Sequence, residues 1–409
     1  MVPRSRDVKP SAARQTGEAR PPSAVHRRYV LRGLLLGGAT VLVAGTGAAG
    51  YRLFDSRALD PGGGRAYDAW SHWQDPGPIG MVAAAILAAS PHNTQPWRFR
   101  ITDRTIDLFA DSSRGLGSID PFQREMHVGL GCAVENLILA TAPRGYQANL
   151  TLMPGPDPTH IAHLGLSPST AASSLLYAAI GDRHTNRGPY EDRPISPSVL
   201  TDLASQSEGL AGVGVRWLTA PAERAAMGAL LLDATQQVVG DEQQSLDGFA
   251  WIRSSADDID RHKDGLTIDA QGLSAPVAAI GKLLPASTRQ ANDQFWLDQT
   301  RTVHIPTAAA YGVITVGSAS DPMARLSGGR LLDRIHLDAT RRGIALQPMN
   351  QITERIDREA DLDRPPTFAP RLAPLLNAPG HEALVTFRLG YPIRTPVHSP
   401  RRPATEVST

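Results

Sequence analysis

The spacing of apolar and polar positions changes several times along the chain. Residues 79–89 form an apolar run dense in alanine, which predicts a buried helix. Residues 105–110 alternate and predict a strand, and residues 127–143 predict a long, mostly apolar helix. Alternation returns at 159–166, 213–218 and 311–316, a helix is predicted over 329–342, and residues 383–389 read as a closing strand. Helices and strands are thus mixed without a clean βαβ alternation, so the expected class is α+β and not a doubly wound sheet.

An internal echo accompanies this pattern. Gly131, Glu135, Leu137, Leu139, Thr141 and Gly145 recur 198 positions later as Gly329, Asp333, Ile335, Leu337, Ala339 and Gly343. So long a period points to a duplicated domain and not to a solenoid, although two ordinary amphipathic helices would share part of it. Gly145 and Gly343 stand where a helix end needs a left-handed residue. Gly328-Gly329 reads as a tight helix start, or as a place where backbone approaches a flat ring. A shorter echo links Asn93, Gln95 and Trp97 to Asn292, Gln294 and Trp296.

The first residues follow a different rule. Residues 1–26 are polar and basic; Arg27-Arg28-Tyr29-Val30-Leu31-Arg32 then precedes the uncharged, glycine-bearing residues 33–51. At about 1.5 Å per residue, such a run could span roughly 30 Å of hydrocarbon if helical. Paired arginines before a mildly apolar stretch resemble a twin-arginine export signal, with a plain membrane anchor as the other reading. The expected locations are therefore extracytoplasmic or membrane-anchored, by way of the twin-arginine export machinery. Residues 52–78, with Pro61-Gly62-Gly63-Gly64, read as a linker, and residues 404–409 as a disordered tail.

Composition narrows the chemistry. The 409 residues carry 41 basic and 40 acidic side chains, too balanced for nucleic acid to be an expected partner. Lys9, Lys263 and Lys282 are the only lysines, leaving 38 arginines, so anions are expected to meet arginine. No Gly-Lys-Ser/Thr phosphate loop, no Gly-x-Ser-x-Gly elbow and no Gly-x-Gly-x-x-Gly after a strand occurs. Cys132 stands alone, which rules out a disulfide framework within the chain. His160 and His163 are expected on opposite faces of a strand, so no metal site is expected there.

Three segments carry the remaining chemistry. Residues 90–97, Ser-Pro-His-Asn-Thr-Gln-Pro-Trp, concentrate donors and acceptors on a turn stiffened by proline. Arg183-His184-Thr185-Asn186-Arg187 places two arginines and a hydroxyl within five residues, a set suited to a phosphate dianion. Gly390-Tyr391-Pro392 follows the last strand, and Arg401-Arg402 comes later.

Taken together, the Ser-x-x-Asn-x-Gln-Pro-Trp run, the Arg-x-Thr-x-Arg run and the terminus resemble the nitroreductase superfamily over about residues 79–403, in its tandem, Acg-like branch. That resemblance implies a nitroreductase-like fold made of two fused, subunit-like halves, residues 79–180 and 181–403, forming a pseudo-dimer within one chain. Residues 241–300 exceed that template and are a candidate lid. The resemblance also implies FMN. Ser90, Pro91, Asn93 and Gln95 would stand at the ring and ribityl side; Arg183, Thr185 and Arg187 would stand at the phosphate with Arg401 or Arg402. No side chain is then needed as a catalytic acid, because the flavin carries the chemistry. The implied activity is two-electron reduction of a nitro, quinone or similar small-molecule acceptor, with NAD(P)H or another donor. A flavin-holding protein with a covered site and little catalysis is the alternative.

Overall fold

A computed structural model describes residues 56–409, and all of them lie in one compact unit. The paired arginines and the uncharged run at 33–51 lie outside the described residues. Among the described residues, no helix is long and apolar enough to cross a membrane.

Two four-stranded antiparallel sheets organise the chain. The first holds β1 (Trp97–Ile101), β2 (Thr105–Ala110), β3 (Tyr146–Leu152) and β4 (His160–Pro168), in the order β1-β2-β4-β3. The second holds β5 (Val213–Leu218), β6 (Ala310–Val316), β7 (Ala345–Pro348) and β8 (Glu382–Gly390), in the order β5-β6-β8-β7. The second order is the first with every strand number raised by four. The strands expected at 105–110 and 213–218 form with those bounds; β1, β3 and β7 were not anticipated. In β3 every other residue is exposed and none is fully buried, so its apolar signal is weak.

Seven helices shape the core and the site. They are α1 (Gly77–Ala85), α2 (Arg124–Leu139), α3 (Pro221–Gly240), α4 (Glu242–Phe249), α5 (Arg289–Gln299), α6 (Pro322–Arg341) and α7 (Gln351–Asp361). Helix α1 starts with Pro78 in its first turn and is apolar all round, so it lies almost wholly in the core. Helices α2 and α6 each fall between the second and third strands of their sheet, and they cross at the echoed glycines. A Cβ on Gly131 would meet the Leu326 carbonyl oxygen at 2.3 Å and the Gly329 Cα at 3.0 Å; one on Gly329 would meet the Val128 oxygen at 2.1 Å and the Gly131 Cα at 3.0 Å. Val128 and Leu326 are themselves 198 apart, so the contact is reciprocal. Gly329 therefore lies mid-helix and does not begin it, because α6 starts seven residues earlier at Pro322, capped by Asp321. Glu135 on α2 accepts from Arg330 (2.7 Å) and Arg334 (2.6 Å) on α6 and ties the same crossing.

Several expectations are corrected. The shorter echo does not extend to structure: Asn93 to Trp97 run from a loop into β1, whereas Asn292 to Trp296 lie within α5. The stretch read as a linker is packed from its described part onward. A 3-10 helix, Arg65–Ser71, buries Tyr67 and Trp70, and the Trp70 indole donates to the Ser399 carbonyl at 2.8 Å. Residues 404–409 are ordered: Ala404–Val407 is helical with Ala404 and Val407 buried, and Thr409 makes two backbone hydrogen bonds of 3.0 Å, one with Phe99 and one with Ile101. Apolar anchors two to five residues from a terminus leave little sequence signal. Finally, His160 and His163 share a side. A bulge shifts the β2–β4 register so that both rings bond Asp107, at 2.9 and 2.8 Å.

Candidate functional site

Residues 90–96 leave α1 and enter β1 through a turn with unusual backbone. His92, Asn93 and Gln95 all have positive φ, at 45°, 57° and 52°. Each costs on the order of 1–3 kcal/mol unless its surroundings hold it, and such strain gathers at functional sites. Here the surroundings are specific. The Gln95 N–H donates to Ser90 Oγ (3.0 Å), the Asn93 amide donates to the Gly265 and Pro400 carbonyls (3.2 and 3.0 Å), and the Gln95 amide donates to the Lys263 carbonyl (2.8 Å). The outer face of this turn borders a cleft partly open to solvent.

Four walls form that cleft. Ser90, Pro91 and His92 make one; Gly129 on α2 lies beneath them, where a Cβ would press Pro91 Cδ at 3.0 Å. Thr185 and Arg187 make the second, and Thr185 bridges to Leu346 on β7. The segment from Gln347 to Gln351, with Glu354 on α7, makes the third. Helices α4 and α5 supply the fourth with Phe249, Phe295 and Trp296.

The cleft holds one arginine, Arg187, together with the carboxyl groups of Glu125, Asp293 and Glu354. Arg187 donates to the Ala270 carbonyl at 3.2 Å and has no carboxylate partner among the described residues. Burial lowers its pKa to about 10, so it stays protonated at neutral pH. Burial, with Arg187 nearby, also pushes His92 down to about 4, which leaves that ring neutral.

Behind the same turn lies a second cationic group. The Arg183 guanidinium donates to the Leu87 carbonyl at 2.7 Å; that of Arg401 reaches the Leu87 and Ala88 carbonyls at 3.4 and 3.2 Å and the Asn93 amide oxygen. Both arginines are almost wholly buried, and each Nε has no partner. Leu87 and Ala88 directly precede the cleft residues Ala89 and Ser90. Burial raises the nearby Asp333 carboxyl to about 8, so at neutral pH it does not offset the pair. Burial first, and then the neighbouring His398, lowers His184 to about 3; its ring stacks with those of Trp70 and His398.

Of the nine residues singled out in the sequence, the structure brings Ser90, Pro91, Thr185 and Arg187 to the cleft. Asn93 and Gln95 face inward instead and clasp the C-terminal segment; the Gln95 side-chain oxygen accepts from the Arg402 backbone N–H at 2.8 Å. Arg183 and Arg401 form the group behind the turn. Arg402 donates to Glu406 at 3.1 Å and borders neither. Sequence reasoning did not find Glu125, Gln347, Gln351 or Glu354. Glu125 is more than 200 residues from the other three, and no spacing rule could have joined them.

In comparison with known proteins, the chain is similar in sequence to proteins named as nitroreductases. No protein-family model matches the chain. It is 29% identical over 278 residues to a Mycobacterium tuberculosis protein named "Putative NAD(P)H nitroreductase Rv3131", covering 67% of this chain and 76% of that one. It is 38% identical over 117 residues to the protein named "Putative NAD(P)H nitroreductase acg" of the same organism, covering 28% of this chain and 35% of the relative. Among solved structures, the FMN-dependent nitroreductase NfnB of Mycobacterium smegmatis, in complex with NADPH, aligns with a TM-score of 0.37 at 13% identity, over 57% of this chain and 97% of that one.

Proposed function

We propose that this chain is an FMN-dependent oxidoreductase of the nitroreductase type, taking electrons from NAD(P)H and passing two to a nitro, quinone or similar acceptor. The observation that carries the reading is the pair Arg183 and Arg401: two buried guanidiniums, each with an Nε that has no hydrogen-bond partner and neither in an ion pair, among the described residues. Buried cations without a partner are costly, and a phosphate dianion with several acceptor oxygens is a fitting complement. Arg183 and Arg401 would hold the phosphate, and Ser90, Pro91, Thr185 and Arg187 would face the rest of the cofactor. When bound, the flavin supplies hydride transfer. The chain positions it, keeps a cation at Arg187, and walls the reaction with the aromatic faces of α4 and α5.

The repeated strand order and the reciprocal glycine crossing support the reading of two fused halves, with one site per chain. The same α4–α5 wall favours one alternative, a flavin-holding protein whose cleft admits no donor; residues 241–300 would then act as its lid. The paired Arg27-Arg28 before an uncharged run supports export or membrane anchoring, which cell fractionation with and without Arg27→Lys and Arg28→Lys would test.

Absorbance of the purified chain tests the main reading. Bound flavin that bleaches on anaerobic addition of NADPH is expected. Flavin that stays oxidised supports the holder instead. A colourless protein that FMN cannot reconstitute removes both.

A further inference from the structure

The cleft lining contains two carboxyl groups that the proposed function does not use. Glu125 lies in the first turn of α2 and Glu354 in the first turn of α7; both are buried and both border the cleft. The two carboxyl groups act on one another electrostatically, and Asn350 lies close enough to Glu125 to favour its charged form. Each keeps one buried oxygen without a partner, Glu125 Oε1 and Glu354 Oε2. Beside them Gln351, also buried in the cleft wall, leaves its Oε1 unpartnered. Buried polar atoms are normally satisfied, and a proton held between the two carboxyls would satisfy an oxygen of each.

We propose that Glu125 and Glu354 share one proton and deliver it to the acceptor during its reduction. This rests on the hydride chemistry proposed above. A quinone that accepts a hydride gains two electrons and one proton and still lacks one proton on oxygen. The proton held between the carboxyls moves to that oxygen: an O–H bond forms on the acceptor, the carboxyl O–H bond breaks, and the pair is left doubly ionised. Water then returns the proton through the open side of the cleft.

The surroundings suit this role. Burial raises both carboxyls, Glu354 to about 7 and Glu125 well above its ordinary value, and adjacent carboxylates in a poorly solvated site resist double ionisation. Asp120, whose carboxyl accepts from the Glu125 and Met126 N–H groups, adds negative charge. Asp357 adds more, although it is paired with Arg124. Arg355 opposes them, but it is held by Asp241 at 3.3 Å and by the Gln244 amide oxygen at 2.6 Å.

The test uses the purified full chain and the variants Glu125→Gln and Glu354→Gln, which keep shape but cannot ionise. Infrared difference spectra at neutral pH should show a protonated-carboxyl stretch that each substitution removes and that fades as pH rises. Reoxidation of the reduced protein by p-benzoquinone should slow about 100-fold in Glu354→Gln, the scale of a lost general acid, and should recover in part in Glu354→Asp. Its fall with rising pH should vanish in Glu354→Gln. A carboxyl band unchanged by both substitutions, or a reoxidation rate with the wild-type pH profile in both, overturns the proposal. Flavin content is read from the same samples. A colourless protein that FMN cannot reconstitute defeats the proposed function and with it delivery to the acceptor, whereas a coloured protein without the infrared band defeats the shared proton alone.

Discussion

The α2–α6 crossing offers a sharp test, because backbone atoms meet there with no side chain between them. Replacing Gly329 by alanine would place a Cβ 2.1 Å from the Val128 oxygen and 3.0 Å from the Gly131 Cα, where ordinary contacts run from 3.4 to 4 Å. Neither obstacle is a flexible side-chain end, so the helices would have to part by on the order of 1 Å in a close-packed core. Overpacking of this kind costs about 1–3 kcal/mol, and alanine returns about 1 kcal/mol through helix propensity. With backbone as the obstacle the upper end applies, and the expected net loss is about 2 kcal/mol. Urea unfolding followed by circular dichroism reads it as a lower midpoint with an unchanged slope. Gly240→Ala is the control: it ends α3, has nothing within 4 Å of its added Cβ, and should gain up to about 1 kcal/mol. The double variant Gly131→Ala with Gly329→Ala should cost less than the sum of the singles, since one separation relieves both contacts. A Gly329→Ala midpoint at or above wild type would refute the reasoning.

Three further outcomes follow from the site and the termini. Arg401→Ala should lose bound flavin on dialysis, with a loss of about 1.5–3 kcal/mol in binding for one charge-assisted contact, while circular dichroism stays native; full retention of flavin would remove Arg401 from the phosphate. Asp333→Asn should flatten the pH dependence of stability. The wild-type carboxyl is raised from 3.8 to about 8, so the stability it allows is fully present below pH 3.8 and is lost as pH rises through about 8. At about 1.4 kcal/mol per unit this amounts to a few kcal/mol, and equal slopes in the two proteins between pH 5 and 8 would contradict it. Truncation after Pro403 should lower the thermal midpoint, because it removes two backbone hydrogen bonds to the β1 edge, the buried Val407 and the Lys263–Glu406 pair at 2.6 Å. An unchanged midpoint would mean that the tail contributes nothing.

Local pattern was enough to anticipate some of this molecule. Apolar residues spaced two apart at 105–110 and 213–218 anticipated strands with those bounds, although burial along the two strands does not alternate. The 198-residue echo was legible because a glycine that must admit another backbone cannot be replaced, and both copies meet that demand at one crossing. The Asn-x-Gln-Pro-Trp turn and the Arg-x-Thr-x-Arg run were legible as chemistry, since each is contiguous.

Tertiary structure decided what those residues do. Asn93 and Gln95 looked like cofactor ligands, but positive φ turns their amides inward to hold the C-terminal segment, and neighbouring Ser90 and Pro91 face the cleft in their place. Arg183 and Arg401, 218 positions apart, meet only because the chain beyond the last strand returns to α1. His160 and His163 share Asp107 through a single bulge that no alternation rule contains. Glu125 and Glu354 become a pair only when α2 and α7 close on one wall. Sequence determines period, turn chemistry and the residues available; which of them share a buried volume depends on long-range packing, and burial sets their charge.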